Sequence, residues 1–490
     1  MNNVVQRQRV PVEPTVIAIG GGGGGVGRST VVVELGRYLA RRGRRVLIVD
    51  ADLAAPDVAL RLDLDPSTIA RAEAGTELDP GAHVVDGARK RPDVLSLAHA
   101  LAPGLGWPDL NPDGLIGRLR SLNYDEILID LPSGPDPIAT GLWVLADVPI
   151  VTAATEAVSL HHATRWLRAA LADALLRHPR GDGREAALAT LAVAVPNLPT
   201  AEALDAEAAR QSVVDVLRAV QRDLQPYLVL THTREAAERD LGPVLNLAWA
   251  WLLGVRPRWL GPIDHDERRW FHVRQDQLCP PLGSERGTGV QLDDLGATLL
   301  DIHAVDRGQP RRHLAEAEPI DLVGLPRDAE PLDVRQTWRR LWEGLRRDSA
   351  LTRRLVPGPL RERMLRELED ANQTLQTWLA ERTTTGEEAP TVDEPKRHDP
   401  GRPIADARVA AGLGLRELSL RTKIGLRYLE AIERFEVADL PRPVYLRGYL
   451  REVARALGLD PDPLLDDYLT ALNEARQQRI LTRRSGGDAS

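Results

Sequence analysis

The stretch that decides the fold lies near the N-terminus and reads Ile19-Gly20-Gly21-Gly22-Gly23-Gly24-Gly25-Val26-Gly27-Arg28-Ser29-Thr30. An apolar run over residues 16–19 precedes the glycines, and a helix-forming run over residues 31–39 follows them. A strand, a glycine loop and a helix in this order are typical of a phosphate-binding loop. Glycines let the backbone turn its N–H groups inward at a helix N-terminus, where the helix dipole favours an anion. The stretch therefore predicts a cradle for phosphate groups.

The candidate nucleotide contacts in this loop are Gly24, Gly25, Val26, Gly27, Arg28, Ser29 and Thr30. The hydroxyl of Ser29 or Thr30 can hold Mg²⁺ on the β- and γ-phosphates. Arg28 stands where this motif normally has a lysine, and its planar guanidinium is not equivalent to a compact ammonium. The loop therefore predicts binding of ATP or ADP with Mg²⁺, and it leaves turnover in question.

Further along the chain, five short apolar segments have the composition of buried strands. They cover residues 46–53, 124–134, 148–152, 227–231 and 258–263. The segments alternate with helical stretches, as in a parallel sheet with crossover helices. The first ends in Asp50 and Asp52, and the second ends in Asp130. The expected fold class of this region is α/β with a parallel sheet.

The loop and the acidic strand ends resemble those of the MinD/ParA class of P-loop ATPases, and most closely its FlhG-like flagellar-number regulators, over roughly residues 10–305. The resemblance implies that Asp130 and Ser29 hold Mg²⁺. It also implies that Asp52 is the catalytic carboxylate that positions the attacking water, with Asp50 beside it in the nucleotide site. A nucleotide-dependent homodimer is implied as well.

Three positions depart from this family. Gly23 stands at the first lysine of the family's loop and Arg28 at the second, while Thr231 stands where a base-contacting asparagine is usual. The first lysine crosses the dimer interface, and a cation supplied in this way is worth about 10³–10⁵ in rate, or about 4–7 kcal/mol. Gly23 supplies no such cation. Its place within six consecutive glycines indicates a loss of constraint or a tract that expanded by slippage.

These departures favour a degenerate site that binds nucleotide with little or no turnover. Two alternatives stay open. One is a working ATPase that tolerates Arg28, since the chain contains only Lys90, Lys396 and Lys423 and arginine carries nearly all of its positive charge. The other is a P-loop domain that serves only as a structural scaffold.

Length and composition indicate several domains, about two to four for 490 residues. The net charge of −8 is spread along the chain, which argues against a protein that coats nucleic acid without specificity. Cys279 is the only cysteine, so no internal disulfide is expected. No targeting segment precedes Thr15, and the longest apolar run, at residues 247–255, is too short to span a bilayer. We therefore expect a cytoplasmic protein without an integral membrane segment.

Helical stretches at residues 166–177 and 201–224 flank the predicted sheet, with a polar break at residues 181–183. His161 and His162 stand at the start of this region. Adjacent residues of a helix point to different faces. We therefore expect a solvent-facing pair of histidines rather than a metal site.

A second unit, at residues 311–382, resembles a DnaJ-type J domain in part: residues 320–335 resemble its opening and residues 360–381 its third helix. The His-Pro-Asp that J proteins need for their chaperone partner is absent, and residues 346–350 stand in its place. No chaperone activity is expected, and a small helical spacer is an equally good interpretation. The expected core face of this module is Trp338, Leu341, Trp342 and Leu345.

The last part of the chain resembles the cytoplasmic helix-turn-helix domain of the RodZ family over roughly residues 402–472. We expect an all-α domain at residues 401–475, joined by a flexible linker at residues 383–400 and followed by a disordered tail at residues 476–490. Its first three helices are expected at residues 404–413, 415–422 and 425–434.

The third helix carries the candidate DNA or partner contacts Arg427, Tyr428 and Arg434. Glu430 and Glu433 accompany the arginines, and carboxylates are repelled by phosphate, so a fold shared by repressors and docking modules does not decide the partner. DNA and a protein both remain candidates. Protein docking would use the aromatic residues that we expect to be exposed, Tyr428, Tyr445 and Tyr449.

The sequence therefore predicts a cytoplasmic regulator with a MinD/ParA-like nucleotide-binding domain coupled to a helix-turn-helix domain. The first alternative is an active ATPase of the MinD/ParA type that takes part in cellular positioning. The second is a cytoskeletal adaptor whose P-loop domain is a dead scaffold.

Overall fold

A computed structural model describes residues 13–178, 214–266, 291–297, 331–346, 358–385 and 400–485, apart from short gaps within these ranges and a few isolated positions between them. Several sequence predictions lie outside the described residues. They are the domain start before residue 13, the polar break at residues 181–183, Cys279, the J-like opening at residues 320–330 and most of the predicted linker.

An eight-stranded sheet forms the centre of the nucleotide-binding region. Its strands are β1 Thr15–Gly21, β2 Val46–Asp50, β3 Val84–Val85, β4 Asp93–Ser96, β5 Glu126–Asp130, β6 Val148–Ala154, β7 Tyr227–Thr233 and β8 Arg258–Asp264. Their spatial order is β3-β4-β2-β5-β1-β6-β7-β8. Every pairing is parallel except that of β3 with β4. The predicted α/β class with a mostly parallel sheet is confirmed.

Helices cover this sheet and bury its apolar strands. They are α1 Arg28–Arg41, α2 Val58–Arg61, α3 Leu97–Ala100, α4 Pro112–Arg120, α5 Pro137–Leu145, α6 Ala157–Arg177, α7 Val214–Asp223 and α8 Leu241–Leu253. The apolar run that begins at Leu247 belongs to α8, whose residues are almost all buried. Among the helices that the structure describes, none is both long enough and apolar enough to cross a bilayer.

The strand register gathers the candidate site residues at one edge of the sheet. β1 lies between β5 and β6, with Ile19 opposite Asp130 and Gly21 opposite Thr152. Asp50 ends β2 opposite Asp130 on β5. Because the strands are parallel, their carboxyl ends meet at the same edge, where ligands of open α/β sheets bind.

The chain divides into two compact units. The first contains Met1–Leu282, Leu299–Ala317 and Ser349–Val356, and the second contains Gly283–Thr298, Glu318–Asp348 and Pro357–Ser490. The described helices of the J-like module therefore share a unit with the helix-turn-helix domain, whereas the sequence boundaries separate the two modules.

The second unit is helical. Its helices are α9 Pro331–Arg346, α10 Gly358–Thr385, α11 Arg402–Ala410, α12 Leu415–Thr422, α13 Leu426–Glu433, α14 Pro443–Leu457 and α15 Pro461–Ser485. α9 packs against α10 and α12. On the predicted core face of α9, Trp338, Leu341 and Leu345 are buried and Trp342 is half-buried. The side-chain amide of Gln336 on α9 donates to the carbonyl oxygen of Gly412 at 2.7 Å.

Two helices continue past the boundaries expected from the sequence. α10 ends at Thr385, within the predicted linker, and α15 ends at Ser485, ten residues beyond the predicted end of the domain. Residues 476–485 were expected to be disordered, and the structure shows them as helix. Arginine and glutamine make up six of the ten residues of that segment, and both are good helix formers even where the sequence shows no clear apolar period.

Candidate nucleotide and helix-turn-helix sites

The glycine loop begins inside β1 and closes onto the N-terminus of α1. Gly27 is the residue that precedes the helix, and it lies in the left-handed region with φ of 79°. Gly25 has the same φ. A Cβ on Gly24 or on Gly25 would have no atom within 4 Å, so the loop is open above these residues. The first amides of α1 lack partners inside the helix, and together with this open loop they form an anion cradle.

One face of α6 packs directly against the closed side of the loop. Ser159, His162 and Trp166 lie at i, i+3 and i+7, and so share that face. A Cβ would meet the Trp166 ring at Gly20, the Ser159 carbonyl oxygen at Gly22 and, at 2.8 Å, Nδ1 of His162 at Gly23. Glycine at these three positions therefore leaves room for close packing against α6.

Arg28 folds back onto the loop that it follows. Its Nη1 donates to the carbonyl oxygens of Gly23 at 3.0 Å and of Gly21 at 3.2 Å. Burial lowers the pKa of its guanidinium, while the nearby charges of Asp130 and Asp52 raise that pKa. The buried Nε of Arg28 has no hydrogen-bond partner among the described residues. The cation of the loop is thus tethered to the backbone of the loop itself.

Two buried carboxylates stand at the strand ends beside the loop. Burial raises the pKa of Asp130 to about 7, against a hydrogen bond from Ser29 and the charge of Arg28, which lower it. Burial also raises the pKa of Asp50 to about 7. The two Asp50 oxygens accept from the backbone N–H groups of Val58 at 3.0 Å and of Asp52 at 3.2 Å. Asp50 therefore fixes the turn after β2.

Asp130 differs from Asp50 in having a free oxygen. Its Oδ1 is buried and has no hydrogen-bond partner in the described part of the chain. A buried carboxylate oxygen without a partner is costly, and a hard cation such as Mg²⁺ prefers oxygen ligands of this kind. The donor set of Asp130 and Ser29 therefore fits Mg²⁺.

Asp52 lies in the loop after β2 and is half-buried. Its Oδ1 accepts from the backbone N–H groups of Ala54 and Ala55, each at 3.1 Å. The structure thus brings Asp52 into the electrostatic range of Arg28 but commits one of its oxygens to its own turn. Its catalytic role remains a prediction.

Arg61, which no sequence motif singles out, also reaches the loop. Its Nη1 donates to Oγ1 of Thr30 at 3.4 Å, and its Nη2 pairs with Asp57 at 2.5 Å. Thr30 lies on α1, whereas Arg61 lies on α2, 31 residues later in the chain. No local pattern marks Arg61 as a residue of the site.

The end of β7 holds the loop from its other side. Oγ1 of Thr231 donates to the carbonyl oxygen of Val26 at 2.7 Å. Nε2 of His232 lies 3.2 Å from the carbonyl oxygen of Gly25 and must donate to it, and its Nδ1 lies 3.3 Å from Nδ1 of His265. His232 has a φ of 57°, an unusual value for a residue with a side chain. Thr231 thus anchors the loop from the end of β7.

The adjacent histidines of α6 have different surroundings. His161 is exposed, as expected, whereas His162 is half-buried beside Gly23. Among the described residues, no group of three or more His, Cys, Asp and Glu side chains could hold a metal ion. The expectation of two solvent-facing histidines is wrong for His162, because its ring packs beside Gly23. Gly23 is far from His162 in sequence, so no local pattern indicated this contact.

In the helix-turn-helix domain, the expected aromatic docking residues lie in or against the core. Tyr449 is 8% exposed. Tyr428 is partly buried, with its ring centroid 5.7 Å from that of Tyr449. Both residues were expected to be exposed, and this prediction fails because α13 and α14 pack through them. The side chain of Tyr445 lies outside the described residues.

The charged residues of α13 divide between the core and the surface. Glu433 accepts from Nε of Arg408 at 2.7 Å and from its Nη2 at 3.0 Å, and both side chains are buried. The sequence suggested that Glu433 would lie at the surface and repel phosphate. The buried pair with Arg408 shows that it does not lie there. Arg434 is 68% exposed, with a long 3.9 Å approach to Glu436. Arg427 lies on α13, and its side chain is outside the described residues.

Comparison with known proteins supports both parts of this arrangement. The family described as the CobQ/CobB/MinD/ParA nucleotide binding domain matches residues 17–375, and a helix-turn-helix domain family matches residues 404–464. The chromosome-partitioning ATPase Soj of Thermus thermophilus is 31% identical over 147 residues, which are 29% of this chain and 56% of Soj. The cytoskeleton protein RodZ of Streptococcus pneumoniae is 41% identical over 68 residues, which are 14% of this chain and 25% of RodZ.

The matches thus span about half of Soj and a quarter of RodZ. Among solved structures, the septum site-determining protein MinD of Pyrococcus horikoshii, complexed with Mg-ADP, is 17% identical. The match covers 59% of this chain and 98% of that one, with a TM-score of 0.35. The first family covers more than half of the sequence. The chain therefore belongs to the CobQ/CobB/MinD/ParA nucleotide-binding family and carries a RodZ-like helix-turn-helix domain at its C-terminal end.

Proposed function

We propose that this protein is a regulator that binds ATP or ADP with Mg²⁺, turns the nucleotide over little or not at all, and uses its helix-turn-helix domain to bind DNA. It acts in the cytoplasm, and nucleotide binding changes its shape or brings two copies together. The open glycine cradle and the free oxygen of Asp130 support nucleotide binding. Ser29 and Asp130 would hold Mg²⁺, which neutralises phosphate charge when bound.

The main observation in support of little or no turnover is that the guanidinium group of Arg28 is hydrogen-bonded to the backbone of the loop. Transition-state stabilisation of phosphoryl transfer is mainly electrostatic, so a cation must be placed on the charge that develops during the reaction. The Nη1 group of Arg28 is instead bonded to the carbonyl oxygens of Gly21 and Gly23. Gly23 has no side chain to offer to a second copy. Both lysine positions of the loop are therefore poorly suited to catalysis.

Equilibrium binding and steady-state phosphate release on the full chain test this proposal. We expect Mg-ATP to bind and phosphate release to equal that of the Asp52→Ala variant, because no catalytic step remains for Asp52 to assist. A wild-type rate well above that of Asp52→Ala would support the alternative of an active positioning ATPase. Absence of binding would support the scaffold alternative.

DNA is the favoured partner of the helix-turn-helix domain because of the surface that α13 presents. Arg434 is exposed, and Glu433 is turned inward to Arg408. Of the aromatic residues suited to protein docking, Tyr449 lies in the core and Tyr428 packs against it. On α14, Arg447 and Arg451 are exposed one turn apart. Arginine is the residue that most often contacts phosphates and guanine edges.

Selection of full-chain protein on a random duplex pool at two salt concentrations tests DNA binding. We expect a sequence to be enriched, and its affinity to fall with salt as counterions are released. Arg434→Ala should weaken binding to that sequence by about 1–3 kcal/mol, the value of one strong contact. Arg402→Ala, which alters an exposed arginine on α11, is the matched control. Without enrichment at either salt, docking of a protein partner becomes the better account.

A further inference from the structure

His162 is the polar side chain of α6 that reaches the edge of the phosphate cradle. Its Nδ1 lies 2.8 Å from the position that a Cβ on Gly23 would occupy, so glycine at this position lets the imidazole approach the loop. The ring is half-buried and forms no hydrogen bond within the described part of the chain. Gly24 and Gly25, the next residues of the loop, are open above their backbone. A polar ring with unused N–H capacity thus borders an anion cradle.

The other α6 side chains that touch the loop differ from His162 in what they can offer to a ligand. Trp166 and Ser159 close the loop from the same helix face, but Trp166 is fully buried and Ser159 accepts from the backbone N–H of Ala154 at 2.8 Å. Nε1 of Trp166 has no hydrogen-bond partner among the described residues, but it is buried and does not face the open part of the loop. Nη1 of Arg28 is bonded to the loop carbonyls. His162 is therefore the side chain on this side of the loop that is left to contact an anion.

We propose that His162 is a phosphate-binding residue, whose imidazole N–H donates to an oxygen of the phosphate chain of a nucleotide held in the glycine loop. This inference rests on the proposed nucleotide binding and adds a contact at the position where Gly23 supplies no side chain. Gly23 and His162 form one unit, because any side chain at residue 23 would displace the ring. The φ of 65° at Gly23 also favours glycine there.

Titration of the full chain with Mg-ATP tests the contact directly. We expect His162→Ala to weaken binding about tenfold, which is about 1.4 kcal/mol and the size of one hydrogen bond to a charged group. His162→Gln retains an N–H donor and should restore part of the loss. His161→Ala removes the exposed neighbour and should bind as the wild type does. Thermal unfolding without nucleotide should be the same for all four proteins.

A double-mutant cycle with Gly23→Ala separates a binding role from a structural one. The added Cβ should displace the His162 ring and weaken Mg-ATP binding in the wild-type background. In the His162→Ala background it should weaken binding less, because the displaced group is already gone. Equal affinity of wild type, His162→Ala and His162→Gln would overturn the inference while leaving nucleotide binding intact. Failure of the wild type to bind would overturn the proposed function and the inference with it.

Discussion

At the scale of single residues, the loop differs from its family through contacts that only the folded chain reveals. Arg28 is bonded to Gly21 and Gly23, and Gly23 makes room for His162. A lysine at residue 23 would meet both the imidazole and an unfavourable φ. The two departures from the family's loop are therefore coupled to a third residue on α6.

The effect of placing lysines at residues 23 and 28 on the rate of phosphate release should consequently depend on His162. We expect Gly23→Lys with Arg28→Lys to raise phosphate release more when His162→Ala is also present, because the new lysine then has space to leave the loop. Each lysine alone should raise the rate less than both together, since the two cations act on one transition state. Steady-state phosphate release measures this effect. An equal rate with and without His162→Ala would show that the imidazole does not constrain residue 23.

Asp130 gives a prediction about pH and stability. Burial raises its pKa to about 7 in the folded chain, from an ordinary 3.8. Between these values the folded state binds the proton more than the unfolded state does, so rising pH lowers the free energy of unfolding. The full effect is on the order of 4 kcal/mol.

Asp130→Asn removes this titration. We expect the wild-type Tm to fall more between pH 5 and pH 8 than the Tm of Asp130→Asn, with both proteins free of nucleotide. The charge of Asp130 contributes to the raised pKa of Asp50, so Asp130→Asn also lowers the Asp50 pKa, and the difference between the two proteins reports both carboxyl groups. Parallel Tm curves for the two proteins would mean that Asp130 is ionised at low pH in the folded state.

At the scale of helices and strands, α13 is held by an internal ion pair rather than presented freely. Arg408 on α11 pairs with Glu433 through two bonds, and its Nη1 also donates to the carbonyl oxygen of Leu413 at 2.8 Å. Removal of one partner from a buried pair leaves an uncompensated charge, which costs about 3–5 kcal/mol. The orientation of α13 therefore depends on Glu433.

Glu433→Ala should destabilise the helix-turn-helix domain by that amount. Hydrogen exchange of the amides of α11 and α13 measures the change, and faster exchange there is the expected result. Glu436→Ala removes a nearby exposed carboxylate and serves as the control, with little change expected. Similar exchange in both variants would argue that the pair contributes little to the domain.

Features that depend on local sequence pattern could be predicted from the sequence alone. The glycine loop, the strands that end in Asp50 and Asp130, and the helices of the C-terminal domain follow from composition and period. Contacts between distant segments were not predictable, and they include His162 against Gly23, His232 against Gly25 and Arg61 beside Thr30. The inward turn of Glu433 and the burial of Tyr449 were missed for the same reason.

At the scale of the whole molecule, regulation requires that nucleotide and DNA binding influence each other. Such coupling is reciprocal, so Mg-ATP must change the affinity for the selected duplex by the same factor by which that duplex changes the affinity for Mg-ATP. We expect a factor of about five or more. Titration of each ligand with and without the other measures both factors. Independent binding would leave a nucleotide-binding protein whose helix-turn-helix domain is not controlled by it.

The most direct test of the central claim is a single-turnover experiment. Full-chain protein in excess over labelled Mg-ATP should hold the nucleotide, and denaturation after long incubation should release it as ATP. This result is expected because Arg28 is tethered to the loop and Gly23 supplies no cation to a second copy. Recovery of ADP from the bound fraction, with its formation prevented in Asp52→Ala, would contradict the account and establish the chain as an ATPase.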